Sequence, residues 1–156
     1  MRVGVRLGID VGQARVGVAR CDPHGILATP VLTLARRDQP IAGIRQLADE
    51  CDAVEVIVGL PLSLSGAETA STRDSREFAL LLANALTVSV RLVDERLTTV
   101  SAARGLREAG RTAKNSRSVV DQAAAVILLQ HALDVEASTG KPPGVLVEPE
   151  ESGPPA

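Results

Sequence analysis

The chain predicts a single α/β domain built on a mixed five-stranded sheet, and three observations carry that expectation. Two strand-like apolar runs near the N-terminus are separated by a short turn. Beyond them, short apolar runs alternate with segments whose apolar residues recur at helical spacing. The 156 residues suit one domain with a real core, and they carry no internal repeat.

Residues 3–10 read as a buried strand. Gly12 and Gln13 form a turn, and residues 15–20 return as the hairpin partner. A second turn at residues 22–25 leads to a third strand over 26–34, where Pro30 favours an edge or a bulge. Ile41, Ile44, Leu47 and Ala48 then fall at helical spacing behind Pro40, which suits a first turn. Residues 54–58 are a short apolar strand, and residues 60–70 a loop rich in small and polar residues. The run 71–74 offers caps for a helix to about residue 86, with Phe78, Leu81, Leu82 and Ala85 on its apolar face. A fifth strand spans 88–94. Thr98 or Thr99 then caps a helix to about residue 109, closed by Gly110. Residues 111–117 read as a polar connection and 118–136 as the last helix. The order is βββαβαβαα. The hairpin is antiparallel, and the strands separated by helices favour parallel pairing. The domain ends near residue 138. Residues 139–156, rich in Pro, Gly and Glu, are expected to be a disordered acidic tail.

Composition narrows the function classes. Apolar content is 45% and charged content 23%, ordinary for a globular protein, and no run approaches a membrane span. The N-terminus lacks the layout of a signal peptide, and Cys21 and Cys51 stand in no metal-ligand spacing, so the thiols are expected to be reduced and the protein cytoplasmic. The net charge of −2 does not advertise a nucleic-acid binder. Its distribution says more: Arg104, Arg107, Arg111, Lys114 and Arg117 lie close together, opposed by Glu108. Arg111, Lys114 and Arg117 are candidates to follow a phosphate backbone; the plainer reading is a solvated face. Phe78 is the only aromatic residue, so bases cannot be held by stacking on several rings, and phosphate and shape must carry any binding.

Three acids occupy awkward places. Asp10 ends the first apolar strand between Gly8 and Gly12. Glu95 follows Asp94 at the end of the fifth strand. Asp121 opens the most apolar helical pattern. A carboxylate at a buried element end is costly unless it is paired, hydrogen-bonded or metal-bound. Each has a modest rival role: Asp10 in a turn, Asp94 or Glu95 as a helix cap, and Asp121 in a capping box with Ser118. Side chains alternate along a strand, so Asp94 and Glu95 face opposite ways. Glu95 is assigned to the site because Asp is the better cap. Together the three suggest one cation site. His24 and His131 stand alone, and Ser63 and Ser65 have no histidine near them in sequence, so a hydrolase triad has little support.

These segments resemble the YqgF/RuvX family, described as pre-16S rRNA nucleases and as Holliday-junction-resolvase-like. The matching stretches are Gly8-Ile9-Asp10-Val11-Gly12 with Arg15-Val16-Gly17-Val18-Ala19, then Val58-Gly59-Leu60-Pro61-Leu62, Arg76-Glu77-Phe78, and Asp94-Glu95-Arg96-Leu97-Thr98-Thr99. The last runs from Asp121 to Gln130. The resemblance implies an RNase H-like fold and an acidic catalytic and metal site of Asp10, Glu95 and Asp121 holding two Mg²⁺ or Mn²⁺ ions. It also implies a phosphate contact for Arg15, and precursor 16S rRNA, on pre-ribosomal particles, as substrate. Two departures stand out: Ser63 and Ser65 replace the family's Asn and Asp, and the acidic Pro-rich tail lies outside its pattern. The competing expectations are a resolvase of four-way, branched DNA and a non-catalytic assembly factor of the same fold. A sugar-kinase-like phosphate domain also begins Gly-x-Asp-x-Gly, but it needs a second domain that 156 residues leave no room for.

Overall fold

The computed structural model describes residues 2–97 and 114–150, and the side chains of all of these except 97 and 114–120. Its strands are β1 (Arg6–Val11), β2 (Arg15–Cys21), β3 (Ala28–Ala35), β4 (Glu55–Leu60), β5 (Ser89–Asp94) and β6 (Val145–Leu146). Its α-helices among the described residues are α1 (Pro40–Glu50), α2 (Ala70–Ala85) and α3 (Lys114–Thr139). The sheet order is β3-β2-β1-β4-β5-β6. β1, β2 and β3 form an antiparallel meander, β4 and β5 run parallel to β1, and β6 is antiparallel to β5. Pro30 lies on the edge strand, opposite Ala19, where the β2–β3 register shifts. That is where a residue without an N–H is tolerated.

The two faces of the sheet are covered differently. Leu7, Ile9, Val11, Val16, Val18, Val56, Val58, Val90 and Leu92 pack beneath α1 and α2 with Ile44, Phe78 and Leu82. Ala19, Cys21, Ile57 and Val93 face α3, where Ala124, Ala125, Leu128, Leu129, Ala132 and Leu133 cover them. Each fully buried Leu of this set contributes roughly 1.5–3 kcal/mol by leaving water. α3 comes close because the sheet is thin beneath it: a Cβ on Gly8 would lie 2.7 Å from Leu129 Cβ and 2.9 Å from the Ala125 carbonyl.

The sheet has six strands where the sequence predicts five. The sixth, Val145–Leu146, lies in the segment expected to be a disordered tail. Val147 N–H donates to the Val90 carbonyl (2.8 Å), Val147 packs on the core, and Glu150 N–H donates to Asn84 Oδ1 (2.8 Å). A short apolar run inside an acidic, Pro-rich segment is enough to pair with an open sheet edge. Gly144, at φ 67°, brings the backbone close against the Leu92 carbonyl, where a Cβ would not fit. Two helix starts also differ. Thr69, not the 71–74 run, caps α2, in a reciprocal capping box with Thr72. α3 begins at Lys114, so Asp121 lies inside the helix and not in a cap at its start. The helix expected over 98–109 lies outside the described residues. Cys21 is buried and Cys51 half-buried, both as free thiols. Among the described residues no helix is long and apolar enough to cross a membrane.

Candidate active site

Strand alternation decides which side chains meet α3. On β1 the α3-facing positions are Arg6, Gly8 and Asp10; on β2 they are Arg15, Gly17, Ala19 and Cys21. On β4 they are Glu55, Ile57 and Gly59, and on β5 Arg91 and Val93, a parity that continues into Glu95. All the strand-borne acids proposed for the site therefore share one side of the sheet.

Two glycine-dependent approaches bring them together. Gly17 is the direct antiparallel partner of Asp10. A Cβ on Gly17 would lie 2.1 Å from the Asp121 carbonyl oxygen, so the α3 backbone at Asp121 rests on the strand beside Asp10. Gly59 follows Val58, the parallel partner of Ile9, and so sits beside Asp10 on the other flank. A Cβ there would lie 2.3 Å from Glu95 Oε1, so the Glu95 carboxylate occupies the space a side chain would fill. Asp10, Glu95 and Asp121 are 0%, 3% and 1% exposed. Carboxylates are almost never so deeply buried without a compensating partner.

Glu95 opens a single 3-10 turn, Glu95–Leu97, and that turn points it inward. Asp94 points the other way. Its Oδ1 accepts from the Arg96 backbone N–H (2.8 Å), and its Oδ2 accepts from Arg96 Nη2 (2.7 Å). The Arg96 guanidinium, helped by that backbone bond, holds the Asp94 carboxyl below the usual range. Arg15 Nε donates to Asp121 Oδ2 at 2.7 Å, joining β2 to α3 across the corner. Arg111 lies outside the described residues. Lys114 and Arg117 fall on the first turns of α3.

The donor set suits a hard divalent cation: carboxylate oxygens on three elements, with a floor of glycines. Among the described residues, however, no three His, Cys, Asp or Glu side chains are already closed into a metal-holding group. The Arg15 guanidinium holds Asp121. The other sequence candidates stay apart from this corner. Ser63 and Ser65 bond each other at 2.9 Å within the loop after β4, and Ser63 Oγ also accepts from the Ala67 N–H.

Sequence reasoning missed Gly17 as part of the site and took Gly59 with Leu60 and Pro61 as a groove-shaping loop, not as the seat of Glu95, although strand parity was available as a signal. It also missed Arg36. That guanidinium donates to the Gly12 carbonyl and to both oxygens of Asp74, and lies 5.3 Å above the Phe78 ring.

A family model described as RuvX, Holliday junction resolvase, matches residues 4–135. A Nocardioides relative named "Putative pre-16S rRNA nuclease" is 58% identical, over 95% of this chain and 99% of its own. Relatives of the same name from Streptomyces coelicolor (56% identical, 95% and 90% covered) and Clavibacter sepedonicus (55% identical, 94% and 93% covered) agree with it. Among solved structures, Thermus thermophilus RuvC in complex with a Holliday junction substrate matches with a TM-score of 0.55 at 19% identity. The match covers 89% of this chain and 99% of that one. The shared architecture is RNase H-like.

Proposed function

This chain belongs to the RuvX family, and on that premise we propose that it is a metal-dependent nuclease that processes the 5′ end of precursor 16S rRNA during ribosome biogenesis. The observation that carries the chemistry is the buried corner where Asp10, Glu95 and Asp121 converge on Gly17 and Gly59. Asp10, Glu95 and Asp121 would hold the cations. When bound, two Mg²⁺ or Mn²⁺ ions supply an activated water and neutralise charge on the leaving oxygen. The protein's own part is to present these oxygens at the ends of the central strands β1 and β5 and on the α3 backbone beside them. Arg15 is held beside the corner, and its planar fork suits a phosphate once Asp121 turns to a cation. The basic residues Arg111, Lys114 and Arg117 would follow the substrate backbone away from it. This role places the protein in the cytoplasm, in contact with pre-ribosomal particles.

Cleavage of a precursor 16S fragment by purified protein, with Mg²⁺ or Mn²⁺, tests the reading. Asp10→Asn is expected to lose at least about a thousandfold in rate, or about 4 kcal/mol of transition-state stabilisation. Metal should also raise the melting temperature of the wild type and much less that of Asp10→Asn. At a hundredfold excess over Kd the gain is about 2.7 kcal/mol. Equal cleavage by both proteins, with melting unmoved by millimolar metal, overturns the proposal. Cleavage of a four-way DNA junction but not of the precursor transfers the chemistry to a resolvase.

A further inference from the structure

A cleft of about 570 Å³ opens at the same strand ends as the acidic corner, on the α2 side of the sheet, lined by Gln13, Arg36, Arg37, Ala70, Ser71 and Asp74. Its walls are tied to the elements that carry the acids. Gln13 lies on the turn between β1, which bears Asp10, and β2, which bears Arg15. Arg36 is bound to that turn twice: its backbone N–H donates to the Ala14 carbonyl (2.9 Å) and its Nη1 to the Gly12 carbonyl (3.0 Å). The opposite wall is the first turn of α2. Thr72 Oγ1 donates to the Pro61 carbonyl and anchors that turn to the end of β4, next to the Gly59 on which Glu95 rests.

The charge in the cleft is arranged for an anion. Asp74 is already spoken for: both its oxygens accept from Arg36, at 2.7 and 3.0 Å. That bond and the Phe78 ring fix the Arg36 plane. Arg37, next along the chain, is exposed at the mouth, so the cleft carries a net positive charge beside a guanidinium that is already oriented. The Ser71 hydroxyl and the Gln13 amide add neutral donors on either side. Pre-oriented guanidinium, an Arg37 with no ion-pair partner among the described residues, and flanking donors together match a phosphodiester better than a base, because no aromatic ring lines the cleft.

We propose that this cleft is a second phosphate site, which takes the sugar–phosphate backbone of the substrate strand next to the scissile position. The proposal rests on the nuclease reading and deepens it: the acidic corner cuts, and the Arg36–Arg37 cleft sets where along the strand the corner falls.

Binding without cleavage tests it. Fluorescence anisotropy of a labelled single-stranded RNA oligonucleotide is measured in EDTA over a range of salt, for wild type, Arg37→Ala and Arg45→Ala. Arg37 is exposed, so its loss leaves the fold intact. Arg45 is an exposed control on α1, away from the cleft. Arg37→Ala is expected to weaken binding about fivefold and to flatten the slope of log K against log salt by about 0.7, the share of one phosphate contact. Arg45→Ala is expected to change neither. An unchanged slope in Arg37→Ala, or an equal fall in Arg45→Ala, overturns the cleft; if the wild type still cleaves precursor RNA, the nuclease reading survives that result. A wild type that binds no RNA in any salt overturns both.

Discussion

The contact between β1 and α3 has two ends that treat buried charge in opposite ways. At one end Arg6 Nη2 meets Glu136 Oε2 at 2.9 Å. Arg2 bridges Glu136 to Glu55, and Glu55 also accepts from Arg91 Nε and Ser89 Oγ, each at 2.8 Å. At the other end Asp10 lies near Asp121 across Gly17, with Glu95 on the far flank over Gly59. The first end answers acids with guanidinium groups built into the fold. The second gathers acids on three elements, with Arg15 on Asp121, and sets Gly17 and Gly59 between them. Matched charge closes one end of the sheet; on the proposed reading, the acids gathered at the other end would take a cation from outside.

The largest effect expected from breaking this contrast is at the matched end. Glu55→Ala leaves Arg2 and Arg91 facing a hole in place of a carboxylate. Loss of one partner from a buried ion pair costs roughly 3–5 kcal/mol. The low end of that range applies here because Arg2 and Arg91 are partly exposed and can turn to water. Urea unfolding should show the loss as a lower midpoint. The metal-induced rise in melting temperature should persist in the variant. If it vanishes, the two ends are not independent and the comparison fails.

A smaller effect separates the two glycines of the acidic end. At Gly59 an added Cβ meets the end of the Glu95 side chain, which can swing away. Gly59→Ala is therefore expected to cost only about 1 kcal/mol in stability, while metal affinity drops about tenfold, or about 1.4 kcal/mol. At Gly17 the added Cβ meets the α3 backbone at Asp121, which cannot swing. Gly17→Ala should therefore cost stability at the upper end of the 1–3 kcal/mol seen for overpacking. Calorimetric titration of Mn²⁺ alongside urea unfolding distinguishes the two. A Gly59→Ala protein with the metal affinity of wild type would show that Glu95 is not held by that floor.

Much of the fold was legible because β1, β2, β4 and β5 are apolar enough on both faces to declare themselves, and α1 carries Ile44, Leu47 and Ala48 at regular spacing. Asp10, Glu95 and Asp121 stood out as acids in apolar settings for the same reason. What could not be read was the detail of where elements begin. Whether Ser118 caps a helix or lies inside one depends on how far α3 extends upstream, and polar residues such as Lys114 and Asn115 carry no periodic signal. β6 escaped notice because two residues of strand have no pattern of their own and are created by the open edge of β5. The Arg2–Glu55–Glu136 network joins residues far apart in the chain, and no local spacing announces it.

The smallest of these effects is the response to acid, and its sign follows from the matched end. Burial pushes Glu55 up, but the bonds from Arg2, Ser89 and Arg91 together outweigh it and leave the carboxyl below its ordinary value. Glu136 follows the same pattern: burial raises it, and the bonds from Arg2 with the charge of Arg6 bring it below its ordinary value. A carboxyl whose folded pKa is depressed is protonated first in the unfolded chain. The stabilisation it lends is complete above the ordinary glutamate value of about 4.3 and is lost as pH falls through the lower folded value. Wild-type stability should therefore be flat from neutral pH to about 5 and then decline. Glu55→Gln removes one of the two groups, so its curve should start lower at pH 7 and decline less steeply. The two curves should draw together in acid. Parallel curves down to the acid limit would mean that the guanidinium groups around Glu55 do not favour its charged form, and the contrast between the ends would then rest on geometry alone.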